Sequence, residues 1–196
     1  MKICRILLCA LTMLLGFATG CTSADSSDSK PVTLVVYYTG GDDRIRDLAQ
    51  EAAKAAQCHM FEIQPEKDYS SLLEKLNSTE ELTAEELESL YADDFRLKQP
   101  IPENWKNYDR ILLGTPLWLD GAPVPVRLFL DQNNLEGKQF FPFTIGTSKQ
   151  AAGLSTELSL DGWRKEFQEG KGFNSDADST TVTQWVNSLR TDQVEE

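Results

Sequence analysis

The chain has 196 residues, 31 acidic against 19 basic, a formal net charge of -12 and 40% hydrophobic residues. That is enough length and apolar material for one domain with a sizeable core. The acidic balance repels nucleic acid and anionic lipid headgroups and either serves solubility alone or suits a protein partner with a basic surface.

Residues 1–20 read as a lipoprotein signal peptide. Lys2 and Arg5 precede an apolar run over residues 6–18, and Ala18, Thr19 and Gly20 lead into Cys21, the layout of a bacterial leader ending in a lipobox. The run is too short to span a bilayer comfortably. A plain signal peptide cleaved near Ala24 is the alternative. On the lipobox reading Cys21 carries the lipid, residues 21–30 form a flexible polar tether, and the protein sits in the bacterial cell envelope, on a periplasmic or extracellular face. Thr22 in place of Asp argues against inner-membrane retention in a Gram-negative cell. Cys4 and Cys9 leave with the leader and Cys21 is acylated, so Cys58 remains alone and no internal disulfide forms in the mature domain, residues 31–196.

Within that domain, residues 32–38 (VTLVVYY) form a near-continuous β-branched and aromatic run, as in a buried parallel strand. Ile45, Leu48, Ala49, Ala52 and Ala56 follow at helical spacing, giving one narrow apolar face. Residues 60–63 read as a second strand closed by Pro65. Residues 69–95 are acidic and helical, with a capping box of Thr83 and Glu86 and with Leu87, Leu90 and Tyr91 on one face. Residues 99–107 are an extended connector, and 110–114 (RILLG) a third strand. Pro123 opens a helix carrying Val126, Phe129 and Leu130. Residues 139–145 (QFFPFTI) read as a fourth strand interrupted by Pro142. A helix is expected over 151–160, a fifth strand within 163–173, and a C-terminal helix over 180–190 with Val182, Trp185, Val186 and Leu189 inward. Strands alternating with helices predict an α/β fold, a doubly wound parallel sheet with helices on both faces.

His59 is the single histidine, which excludes multi-histidine metal sites and the common hydrolytic triads. It and Cys58 read as structural. No side chain is marked as catalytic and none as a metal ligand. In open parallel sheets ligands bind at the carboxyl ends of the strands, and three loops lie there: residues 39–43, 115–121 (TPLWLDG) and 146–153 (GTSKQAAG). One is glycine-rich, one aromatic and one hydroxylated. Together they suit a planar aromatic ligand with a phosphate tail.

These segments carry a family resemblance. VVYY with its glycine turn and helix, YDRILLGTPLWLDGAPVPVRLFL over residues 108–130, and LEGKQFFPFTIGTS over 135–148 resemble the flavodoxin family, in its short bacterial branch, across residues 32–189. The resemblance implies a five-stranded sheet of order 2-1-3-4-5 binding flavin mononucleotide (FMN). It places Thr39, Gly40 and Gly41 at the phosphate and Thr115, Pro116, Leu117 and Trp118 against the isoalloxazine, with Trp118 an exposed stacking partner. Thr147 and Ser148 would line the other edge of the ring.

The first loop departs from the family, whose Ser/Thr-x-Thr-Gly-Asn-Thr run surrounds the phosphate with hydroxyls and N–H groups. Here Thr39 alone keeps a hydroxyl, and Asp42 and Asp43 replace the Asn-Thr end. Each Asp is positioned to cap the helix beginning near Arg44, worth about 1 kcal/mol. Facing a phosphate, like charges at about 4 Å repel by about 4 kcal/mol near a protein surface, unless Arg44 and Arg46 turn inward to offset them. The expected function is a membrane-tethered, FMN-binding electron-transfer protein. The alternatives are a flavin-free interaction or ligand-binding module on the same scaffold, and an FMN-dependent reductase.

Overall fold

The computed structural model describes residues 31–76, 78, 80–90, 95–118, 121–159 and 166–191. The expected leader, Cys21 and the tether lie outside the described residues, as do Tyr91 and Trp163.

The β-branched run forms β1 (Thr33–Tyr37), and the alanine-rich segment after it forms α1 (Asp43–Ala56). Then come β2 (His59–Glu62), α2 (Ser70–Leu76), α3 (Ala84–Leu90), a 3-10 turn at Trp105–Asn107, and β3 (Arg110–Gly114). The remaining elements are α4 (Val124–Gln132), β4 (Gln139–Ile145), α5 (Ser148–Leu158), β5 (Lys171–Phe173) and α6 (Ser179–Thr191). All strand pairs are parallel, in the order β2-β1-β3-β4-β5, so the expected topology holds.

Alternation along the strands divides the core in two, because successive side chains point to opposite faces. Leu34, Val36, Ile111, Leu113 and Phe140 pack with Val126, Phe129 and Leu130 of α4 and with Leu154 and Leu158 of α5. Val35, Tyr37, Leu112, Phe143 and Phe173 pack with Ile45, Leu48, Ala49, Ala52 and Ala53 of α1 and with Val182, Val186 and Leu189 of α6. Trp185 lies edge-on to Phe143 and Phe173, at 5.6 and 5.5 Å between centroids.

Two expectations need correction. The capping box of Thr83 and Glu86 forms, but Leu87 is exposed; Leu82, just before the helix, packs on the core instead. Pro142 does not interrupt β4, where it pairs in register with Leu113. Phe140, two residues earlier, directs its backbone toward Glu166 and Gln168, and Pro142 turns the same way by the two-residue period. The β5 ladder starts only at Phe143 with Lys171, so the missing N–H falls where no ladder bond is required.

Candidate functional site

At the carboxyl end of β1, Tyr38 continues the pairing by donating its N–H to the Gly114 carbonyl at 2.9 Å. Thr39 then starts a tight turn whose carbonyl accepts from the Asp42 N–H at 2.9 Å. Gly40 and Gly41 have φ of 54° and 82°, left-handed backbone that favours glycine. Asp42 is the N-cap of α1: its Oδ1 accepts from the Arg44 N–H at 3.1 Å, and its carbonyl accepts from the Ile45 N–H at 3.1 Å. Arg44 also folds its guanidinium back on this carboxylate, with Nε to Oδ1 at 2.8 Å and Nη2 to Oδ2 at 2.6 Å. Arg46 bridges Asp43 and Glu62, the latter at 3.1 Å. The hydrogen bond from Arg44 holds the Asp42 carboxyl below its ordinary range, against the opposing effect of burial. Burial and then the Glu62 charge push the Tyr37 phenol up.

The second loop follows β3. Thr115 and Pro116 are buried, Leu117 is half-buried, and the Thr115 hydroxyl donates to the Pro116 carbonyl at 2.9 Å. Trp118 and Gly121 exchange backbone hydrogen bonds of 2.9 and 2.8 Å, closing a turn whose two central residues lie outside the described set. This turn is held from α5. Glu157 accepts from the Ala122 N–H, its nearer oxygen at 3.2 Å, and pairs with Arg127, whose Nε donates to the Ala122 carbonyl at 3.2 Å. A Cβ on Gly121 would stand 2.5 Å from Glu157 Oε1, so a side chain there would push the carboxylate from its present place.

These two loops meet. A Cβ on Gly40 would lie 2.8 Å from Pro116 Cγ, 3.1 Å from Trp118 Nε1 and 3.2 Å from Tyr38 Cε1. The Tyr38 and Trp118 rings make an edge contact at 5.7 Å. Trp118 is only 4% exposed, inside the α4–α5 core, and not the exposed aromatic expected from its loop position. Its Nε1 and the Tyr38 hydroxyl are both buried with no hydrogen-bond partner. Desolvation pushes the Tyr38 phenol well up.

The third loop stands apart. Thr147 caps α5 through a capping box with Gln150, both it and Ser148 are exposed, and they line a cleft of about 490 Å³ with Lys171, Gly172 and Asp178. Thr39, Gly40 and Gly41 line a different cleft of about 530 Å³ with Tyr38, Glu62, Tyr69 and Lys98. The structure thus joins Gly40 to Pro116 and Trp118 and leaves Thr147 and Ser148 on another depression. Sequence reasoning missed Tyr38, whose place at the end of a strand was the available signal. It also missed Glu157, for which a partner 35 residues away leaves no local signal. Among the described residues no group of His, Cys, Asp and Glu is arranged to hold a metal ion, and no helix is long and apolar enough to cross a membrane.

Comparison with known proteins extends these observations. The chain is similar to a candidate flavoprotein of Bacteroides uniformis, at 24% identity over 80% of this chain and 98% of that one, with a TM-score of 0.66. A second candidate flavoprotein, of Bacteroides eggerthii, has 22% identity over 81% and 98% of the two chains, also at 0.66. A flavoprotein of Lactobacillus acidophilus in complex with FMN has 17% identity over 79% and 98%, at 0.51. These likenesses concern the fold. No curated protein matches the sequence. The sequence profile of the family Flavodoxin matches residues 32–189, in accord with the β2-β1-β3-β4-β5 sheet and the loops at its carboxyl edge, and the chain belongs to the flavodoxin family.

Proposed function

We propose that this protein is a flavin-binding electron carrier of the bacterial envelope, anchored by a lipid on Cys21, that takes FMN between the ends of β1 and β3 and serves a protein partner with a basic surface. The carrying observation is the pair of buried polar groups without partners, Trp118 Nε1 and the Tyr38 hydroxyl, set against the Gly40 turn. Leaving such a group unpaired costs about 1–3 kcal/mol, and a flavin, whose ring edge presents carbonyl and ring-nitrogen acceptors, offers what they lack. The donors at this end match the acceptors of the ring.

When bound, the isoalloxazine supplies the redox chemistry. The side chains of the site orient and shield. Trp118 and Tyr38 contribute aromatic surface and donors, Thr115, Pro116 and Leu117 exclude water beside them, and Thr39, Gly40 and Gly41 lie toward the tail. Entry of the ring requires the Gly40 turn to move off the indole. No acid or base is needed from the protein, and the net charge of -12 favours a basic redox partner through long-range attraction. The family relationship and the fold of the FMN-bound relative support the cofactor.

Two observations favour a second reading, a flavin-free interaction or ligand-binding module. The Gly40 turn already rests on Pro116 and Trp118, and its carboxylates already have guanidinium partners. The absorbance spectrum of the purified protein incubated with FMN separates the two. A shifted and structured visible band is expected, whereas an unchanged spectrum at saturating protein favours the flavin-free module.

A further inference from the structure

We propose that the site recognises flavin by its ring alone and draws no affinity from the phosphate, so that riboflavin binds at least as tightly as FMN; this rests on the flavin-binding reading above. Phosphate binding at the start of a helix depends on backbone N–H groups without acceptors and on positive charge. Three of these N–H groups and both nearby guanidiniums are already committed here. The N–H of Asp42 donates to Thr39, that of Arg44 to the Asp42 carboxylate and that of Ile45 to the Asp42 carbonyl. The Arg44 guanidinium is engaged by the same carboxylate, and Arg46 lies between Asp43 and Glu62.

To use the Arg44 N–H or its guanidinium, an incoming phosphate would have to displace the Asp42 carboxylate from the helix cap. It would gain the bonds that the carboxylate gave up and would meet Asp42, Asp43 and Glu62 at close range. Three carboxylates against two guanidiniums leave the turn negative in itself. Asp42, whose carboxyl the Arg44 hydrogen bond holds below its ordinary range, is charged at neutral pH, so the repulsion persists there.

The polar groups still lacking partners are on the other side of Gly40. Trp118 and Tyr38 are 4% and 3% exposed, and their Nε1 and hydroxyl are unpaired. The indole nitrogen is 3.1 Å from where a Gly40 Cβ would stand, which places it against the turn that a ligand must enter. The unpaired donors are thus on the ring side of the turn, and the helix cap that the family uses for the tail is held by the chain's own carboxylate.

Quenching of flavin fluorescence by the purified full chain at low salt, where charge repulsion is least screened, tests this. FMN and riboflavin are titrated against the wild type and against the double substitution Asp42→Asn with Asp43→Thr. Asn caps helices about as well as Asp, and circular dichroism checks the fold. The expected result is a wild-type Kd for riboflavin equal to or below that for FMN. In the variant the FMN affinity should rise about tenfold, equivalent to about 1.4 kcal/mol, with little change for riboflavin. Wild-type FMN binding more than about tenfold tighter than riboflavin would overturn the inference and leave the flavin-binding reading standing. Equal gains for both ligands would also overturn it, by showing that the aspartates do not oppose the phosphate. Binding of neither flavin to either protein would instead remove the flavin-binding reading itself.

Discussion

Glu157 and Arg127, one on α5 and the other on α4, form an ion pair that closes over the backbone of Ala122. The pair supports the Trp118–Gly121 turn from outside the sheet. Replacing Glu157 with Ala leaves the buried Ala122 N–H without its acceptor and removes the ion pair with Arg127. The expected loss is about 1–2 kcal/mol of stability, read by urea denaturation, with a shift in tryptophan emission as the indole environment loosens. Glu157→Gln keeps an acceptor for the N–H and should recover part of that loss. A Glu157→Ala protein with unchanged stability and emission would show that the turn holds itself.

Two glycines should respond in opposite directions to the same substitution. Gly40→Ala places a methyl group against Pro116 and the indole in left-handed backbone, and about 1–3 kcal/mol of destabilisation is expected. Gly153 lies within α5 with nothing within 4 Å of its Cβ position. Gly153→Ala should therefore stabilise by about 0.5–1 kcal/mol. Thermal unfolding of the two variants beside the wild type measures both, and a Gly40→Ala protein as stable as the wild type would mean the two loops are not locked together.

The cap of α1 should titrate. Asp42 has a folded pKa below its ordinary value of 3.8, first because of the Arg44 side-chain hydrogen bond. A carboxyl with a lowered folded pKa contributes stability that is fully present above its unfolded pKa and is lost as pH falls through the folded one. Asp42→Ala should thus cost about 1 kcal/mol at pH 7, and the gap from wild type should close below about pH 4. Denaturation midpoints of both proteins across pH 2.5–7, at constant ionic strength, give the comparison. A gap independent of pH would assign the effect to helix propensity.

Cys21→Ser should abolish lipidation and leave an unprocessed precursor or a protein without lipid. Metabolic labelling with a fatty acid reads this directly, and equal label in wild type and variant would exclude Cys21 as the modified residue.

Most of the sheet was legible because buried parallel strands are long apolar runs, and RILLG and QFFPFTI fall on β3 and β4 residue for residue. The cap of α1 was legible because a helix start is written in a few adjacent residues, although the sequence offered Asp42 and Asp43 alike and the structure uses Asp42, Asp43 pairing with Arg46 instead. Less was legible where long-range packing decides. Trp118 looked exposed from a loop bearing Pro and Gly, yet Tyr38 and the core beneath α4 and α5 enclose it. Leu87 fitted a helical face, but a seven-residue α3 has little surface to bury and the core takes Leu82. Pro142 read as a strand break because sequence alone does not show which neighbour its missing N–H would face. The separation of Thr147 and Ser148 from the first two loops is likewise tertiary, set by where β5 and α6 place the second cleft.

The brevity of the outer strands bears on self-association. β5 offers only Lys171–Phe173 at one margin of the sheet, and β2 only His59–Glu62 at the other. Alternate residues of a parallel strand turn their backbone groups outward, so an extended segment of another molecule finds about one or two bonds along β5. The first residue there is a lysine, whose charge opposes burial under a further strand. Crowded on a surface, such domains would collide without their sheets joining.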